Sequence, residues 1–271
     1  MKGNRRHPRV TSHLINILVF SLGALFGSFY NTPQTHQQPL GIFRGPVWTS
    51  PLQVSRRVVH ETPFARCEVH SVLSEDGTRV MEDWLWFDEI DAINVVVHEQ
   101  STNQLLFFQQ QKYGLKGDTL ATVGGFQNPG EEAIDTCERE TREELGMASS
   151  NQQLNTPNTR DPNWIKLGNW RTACNRGAGY LSSYLLLNAV PVAANGGQQN
   201  FAGLSDGKGT DLSFDPSGTG DNQKDGEAQL IVRLSLSEAR EALHQNRFLE
   251  VKWSLSVSLA LQHLEEMDHV K

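Results

Sequence analysis

From about residue 54 onward, short runs of apolar and polar residues alternate between clusters of turn formers, the pattern of β-strands. Residues 57–73 alternate well enough for strands. Ser74-Glu75-Asp76-Gly77 carries the Asp-Gly hairpin signal, and residues 80–87 supply the next strand. Residues 92–98 (AINVVVH) and 105–109 are more continuously apolar, as strands buried on both faces are, with a turn at Ser101-Thr102-Asn103 between them. Residues 164–170, 179–192 and 228–234 read as three further strands. Helical spacing appears in three places. Residues 131–145 contain neither Gly nor Pro, Glu131 and Glu132 suit a first turn, and Gly146 suits the position after the last. Residues 237–244 form a second helix with Ser237 as N-cap. Residues 253–267 form a third, with Leu255, Leu259, Leu261 and Leu264 on its apolar side.

The N-terminus follows a different pattern. Residues 1–12 are basic through Lys2, Arg5, Arg6 and Arg9, and residues 14–30 are almost wholly apolar. That arrangement reads as a signal peptide or an uncleaved membrane anchor, with the anchor favoured by the hydrophobic length. An anchor would put the domain on the non-cytoplasmic side. An organelle-targeting presequence and a cytoplasmic location stay open. Residues 31–53 hold Pro33, Pro39, Pro46 and Pro51 among polar residues and read as a linker. The folded domain is then 54–271, interrupted at 193–226 by a flexible insertion rich in Gly, Asp, Ser, Asn and Gln.

The 271 residues carry 24 basic and 31 acidic side chains, a net charge of −7, which argues against a nucleic-acid partner. Cys67, Cys137 and Cys174 are too few and too scattered for a disulfide framework or a zinc site. Cys137 falls on the core side of its helix with Ala133, Ile134, Thr141 and Leu145. Trp84 and Trp86, two apart on one strand, are core or interface residues, or a surface for stacking a base.

The concentrated chemistry lies in residues 125–147, GFQNPGEEAIDTCERETREELGM. Asn128-Pro129-Gly130 ends a loop, and the helix follows. Glu140, Glu143 and Glu144, at i, i+3 and i+4, share one helix face. Such a triplet is either a solvated acidic face, with Arg139 paired to Glu143, or a set of hard oxygen ligands for Mg²⁺ or Mn²⁺.

Gly125, Glu131, Arg139, Glu140, Glu143, Glu144 and Gly146 stand at the spacing G-x5-E-x7-R-E-U-x-E-E-x-G-U, with U a bulky apolar residue. The chain therefore resembles the Nudix hydrolases. Thr141 departs from the pattern, standing where the family usually has an apolar residue. Gln110 and Lys112 match the Q-x-R/K-Y element of the nucleoside diphosphate sugar branch, which includes the ADP-ribose pyrophosphatases. Of the W-E-L-P-A-G element that follows there, Ala121 replaces Glu, Val123 replaces Pro and Gly124 replaces Ala. The Pro-Gly pair usual between the two strands after the box is absent; residues 173–177 read Ala-Cys-Asn-Arg-Gly.

The resemblance implies an α/β Nudix fold, a mixed β-sheet sandwiched between helices with a loop-helix-loop catalytic motif. It implies hydrolysis of a diphosphate linking a nucleoside to a second moiety, with Mg²⁺ or Mn²⁺ as cofactor. Glu140, Glu143, Glu144 and the Gly124 carbonyl would hold metal. Arg139 and Glu131 would orient the carboxylates, and Glu227, at the end of the insertion, would help activate water. Gln110, Lys112 and Arg176 would bind the nucleotide-type substrate, and the N-terminal strands would form a homodimer. A nucleoside triphosphate or dinucleotide pyrophosphatase and a non-catalytic nucleotide-binding module are the alternatives.

Overall fold

The computed structural model describes residues 42–151, 161–192 and 229–269, all within the compact unit Gly41–Lys271. Among them the strands are β1 (Gln53–Glu61), β2 (Ala65–Leu73), β3 (Val80–Glu89), β4 (Ala92–Glu99), β5 (Gln104–Gln111) and β6 (Asp118–Ala121), then β7 (Val123–Phe126), β8 (Met147–Ser149), β9 (Trp164–Ala173), β10 (Gly177–Pro191) and β11 (Gln229–Leu234). The helices are α1 (Ala133–Leu145), α2 (Leu236–His244) and α3 (Val251–His269).

Val95, Val96 and Val97 of β4 are all fully buried. A strand apolar on both faces has to be covered from both sides. α1 packs on β4 and β7, and α3 packs on β4, β9 and β10. Neighbouring residues of β7 mark the two sides. A Cβ on Gly125 would meet Glu140 of α1, whereas one on Gly124 would meet Asn94, whose amide bonds Ser256 of α3. The sheet is therefore a layer between helices.

Its main path runs β1-β2-β3-β10-β4-β5-β11. β10 is parallel to β4 and antiparallel to β8 and β9, so the sheet is mixed. β4 forks. Its first half, Ala92 to Val95, pairs with β7, and Val97 to Glu99 pair with β5. β5 in turn pairs with β6 on one side and β11 on the other. The fork leaves β7 free to carry the loop into α1. At the far end of β4 the Glu99 carboxylate takes Arg233 Nε at 2.7 Å and Nη2 at 3.0 Å, fastening β11 to β4.

Three local expectations change. α1 begins at Ala133, so Glu131 and Glu132 precede the helix, and Glu131 is spent on Arg139 instead. α2 is capped by Ser235 and not by Ser237. Ser235 Oγ accepts from Glu238 N, and Glu238 reaches back to Ser235 N, a complete capping box. Packing also begins before the domain start expected at Val54. Phe43 is buried, and Trp48 stacks on Trp86 with ring centroids 6.2 Å apart. Trp86 is a core residue, lying also against His70 and donating from Nε1 to Asp88, whereas Trp84 donates to the Asn175 carbonyl.

Among the described residues no helix is long and apolar enough to cross a membrane. The apolar segment 14–30, the insertion 193–226 and Glu227 lie outside them.

Candidate active site

α1 is held to β7 by side chains on both of its faces. Cys137, Thr141 and Leu145 are buried in the core, with Ala133 and Ile134 packed against it. Gly146, at φ 62°, ends the helix in the left-handed conformation, and its N–H returns to the Arg142 carbonyl. The opposite face carries the carboxylates.

Arg139 is the hub of that face. Its Nε and Nη2 donate to the two oxygens of Glu131, at 3.0 and 3.1 Å. Nη1 donates to Glu140 at 2.6 Å and to Glu143 at 3.3 Å, and Nη2 also reaches the Phe126 carbonyl at 3.2 Å. Planar guanidinium geometry makes this many directed contacts possible; an ammonium would not. Glu131 is fixed independently by the Asn128 N–H at 2.9 Å, and Gln127 Nε2 donates to its carbonyl at 3.0 Å. Arg139, followed by that backbone bond, holds the Glu131 carboxyl down at about 2 despite some desolvation.

Glu140 and Glu144 are shifted the other way. Burial raises the Glu140 carboxyl even though Arg139 opposes the rise. Burial, then the neighbouring Glu140 charge, pushes Glu144 up to about 8; the Gly124 N–H, at 3.4 Å from its Oε2, and the Lys112 charge only partly offset this. Two enclosed carboxyls side by side, both disfavoured as anions, make a setting that added positive charge would relieve. Glu143 is more open, its side chain 45% exposed.

Gly125 admits Glu140 to this position. A Cβ there would stand 2.1 Å from Glu140 Oε1 and 2.6 Å from its Cγ, so only a glycine leaves the carboxylate room against β7.

The substrate-binding candidates divide. Lys112, just beyond β5, acts electrostatically on Glu144. Gln110 is buried, and its carbonyl oxygen takes a hydrogen bond from Gln229 Nε2 at 2.9 Å, an arrangement that ties β5 to β11. Arg176 is exposed in the β9–β10 turn. Its backbone bonds run to Ala173 and, at 2.7 Å, to Phe87, not to the box. Sequence reasoning missed the Phe126 carbonyl and Asn128 N–H as anchors. Backbone groups leave no residue-type signal, and the turn chemistry at Asn128 was the one available hint.

The donor chemistry of Glu140, Glu143 and Glu144 fits a hard divalent cation. Among the described residues no group of three or more His, Cys, Asp or Glu side chains is arranged so that it could hold a metal ion.

Residues 88–171 match the family model of the NUDIX domain. That stretch, which takes in the whole of the box and its helix, is a match to a NUDIX domain. A solved structure described as "Crystal structure of ADP compounds hydrolase" is similar in fold, with a TM-score of 0.55, 14% sequence identity, and 82% of this chain and 98% of that chain covered. No curated protein matches in sequence.

Proposed function

We propose that the protein is a metal-dependent hydrolase that cleaves the diphosphate of a nucleoside diphosphate bearing a second moiety, a nucleoside diphosphate sugar or ADP-ribose-like compound. The observation carrying this reading is the Arg139 hub, which binds Glu131, Glu140 and Glu143 at once and presents them beside the Gly124–Gly125 strand edge. The substrate class draws support from the Gln110 and Lys112 positions and from the similarity of fold to an ADP compounds hydrolase.

Glu140, Glu143 and Glu144, with the Gly124 carbonyl, would hold Mg²⁺ or Mn²⁺, which when bound neutralises diphosphate charge and acidifies a water. Arg139 and Glu131 keep the carboxylates on one face and within reach of β7; they orient and do not react. Glu143, the open member, is suited to accept a proton from an attacking water. Lys112 supplies a point charge for the substrate's phosphates on the side of Glu144, and Arg176 is a second candidate from the β9–β10 turn. Glu227, outside the described residues, is proposed as an auxiliary acid that helps activate water.

The test is turnover by the full chain, with Mg²⁺ or Mn²⁺, of ADP-ribose, ADP-glucose, UDP-glucose, NADH, dinucleoside polyphosphates and deoxynucleoside triphosphates. The reading expects one diphosphate-sugar class to dominate. Preference for triphosphates or NADH would move the protein to another branch, and binding without turnover would make it a nucleotide-binding module.

We also propose a homodimer. β1 is an edge of the described sheet, and Val54, Val58 and Val59 on it are all more than 40% exposed. Light scattering that gave a monomer mass would refute this.

A further inference from the structure

Three buried polar side chains sit behind the catalytic edge in an otherwise apolar layer. Asn94 of β4, Ser183 of β10 and Ser256 of α3 are each less than 5% exposed, and the Asn94 neighbours Ile93 and Val95 are fully enclosed. Ser256 Oγ donates to the Lys252 carbonyl at 2.9 Å. With its one proton so committed, it accepts from Ser183 Oγ at 2.8 Å and from Asn94 Nδ2 at 3.3 Å. One donor and two acceptor sites are all that a hydroxyl offers, so Ser256 is fully used.

Two details aim this cluster at the active site. Asn94 stands opposite Gly124 in the β4–β7 register, with its Oδ1 3.1 Å from where a Cβ on Gly124 would lie. The Gly124 N–H points away from β4 and donates to Glu144 Oε2. In an antiparallel ladder a residue's N–H and C=O point to the same side, so Asn94 and Gly124 form the close, non-hydrogen-bonded kind of pair. Asn94 therefore backs the Cα of Gly124 while both polar groups of Gly124 look toward the box.

We propose that Asn94 is a positioning residue. Held by Ser256, which Ser183 bonds in turn, it sets the depth of β7 at Gly124, and through the Gly124 backbone it sets the place of Glu144 and of a cation held beside it. The metal part rests on the function proposed above; the Asn94–Gly124–Glu144 contacts do not. Apolar residues of similar size could fill the layer with little change in stability, because replacing all members of a buried polar cluster removes desolvation cost along with the bonds. They would not keep the Asn94 carboxamide, fixed by its Ser256 bond, behind the Gly124 Cα.

The experiment compares full-length wild type, Ser256→Ala and Asn94→Leu/Ser183→Ala/Ser256→Ala by calorimetric Mn²⁺ titration and thermal unfolding. The triple variant is expected to unfold near the wild-type temperature yet bind Mn²⁺ about tenfold more weakly, the usual scale for losing an outer-shell partner. If it does not fold, Ser256→Ala, which deletes one oxygen, decides, with a loss of about tenfold, the low end of the same scale, expected. Mn²⁺ affinity within twofold of wild type in the folded variant overturns the proposal, as does a wild type that binds no Mn²⁺. Mn²⁺ binding by wild type without hydrolysis of any diphosphate would sink the functional reading alone, because the affinity comparison is read independently of turnover.

Discussion

Arg139 and Glu131, eight residues apart, are joined by two hydrogen bonds of 3.0 and 3.1 Å, both from the Nε/Nη2 edge of the guanidinium. The pair closes the box loop onto the first half of α1, and the same guanidinium then reaches Glu140 and Glu143. Arg139→Lys keeps the charge but loses the fork. Turnover should fall by about 10²-fold, since positioning errors near 1 Å cost that much. Steady-state rates at saturating Mg²⁺ with parallel circular dichroism check this, and unchanged turnover would remove the hub from the account.

Glu131 also predicts a pH dependence. Its carboxyl is held at about 2 in the folded protein against an ordinary 4.5, chiefly by Arg139. A depressed carboxylate contributes stability that is complete above about pH 4.5 and is lost as pH falls toward 2. Glu131→Gln should therefore lower the urea midpoint at pH 6 and clearly less so near pH 2.5, where the benefit is partly lost. A gap that widens on acidification would contradict the assignment.

Thr141 stands where the box pattern has an apolar residue. It is 1% exposed, and its Oγ1 has no hydrogen-bond partner. Thr141→Val removes an unsatisfied hydroxyl and keeps the shape, so the protein should gain about 1 kcal/mol in urea unfolding. A loss of stability would mean that the hydroxyl is bonded in solution.

Gly125→Ala separates folding from chemistry. The added methyl collides with the Glu140 carboxylate, a side chain that can swing away, so the fold should survive with a small loss. Glu140 would leave the cluster, and turnover should drop by 10²-fold or more on the same positioning scale. Wild-type rates in this variant would show that Glu140 works elsewhere.

Arg233→Leu tests the clamp between β4 and β11. Burial alone would raise the Glu99 carboxyl, but Arg233 and Thr102 hold it below its ordinary value. Without Arg233 a buried carboxylate is stranded, at a cost of about 3 kcal/mol. The wild-type benefit is present above pH 4.5 and lost as pH falls through the lowered folded value, so the variant's deficit should shrink in acid. A deficit equal at pH 4 and pH 7 would rule out the charge as its source.

The box was legible because its residues carry their chemistry in identity and spacing: Glu140, Glu143 and Glu144 share a face as helical periodicity demands. The buried run in β4 and the Asp-Gly turn after β2 were legible for the same local reason. Other features rest on tertiary partners. Ser237 looked like a cap, but Ser235 has Glu238 three residues on, and that pairing decides the helix start. Phe43 and Trp48 lie in a Pro-rich stretch that reads as linker, and tertiary partners such as the Glu61, Trp86, Asp88 and Arg171 side chains draw it onto the domain. Gln110 matched a substrate-binding position, yet Gln229, more than a hundred residues away, occupies its carbonyl oxygen. Asn94 gave no signal, because a single Asn in an apolar strand acquires meaning only when Gly124 and Ser256 are seen beside it.

The most direct measurement is ³¹P NMR of ADP-ribose or UDP-glucose incubated with Mg²⁺ and full-length wild type, Glu143→Gln or Glu144→Gln. The account predicts that wild type converts the diphosphate resonances of at least one of them into two phosphomonoester signals, and that each substitution reduces the rate by 10²-fold or more, the scale of losing an electrostatic group at a reacting centre. Diphosphate resonances that stay unchanged with folded, Mg²⁺-binding wild type, or cleavage that persists at full rate in both variants, would contradict it.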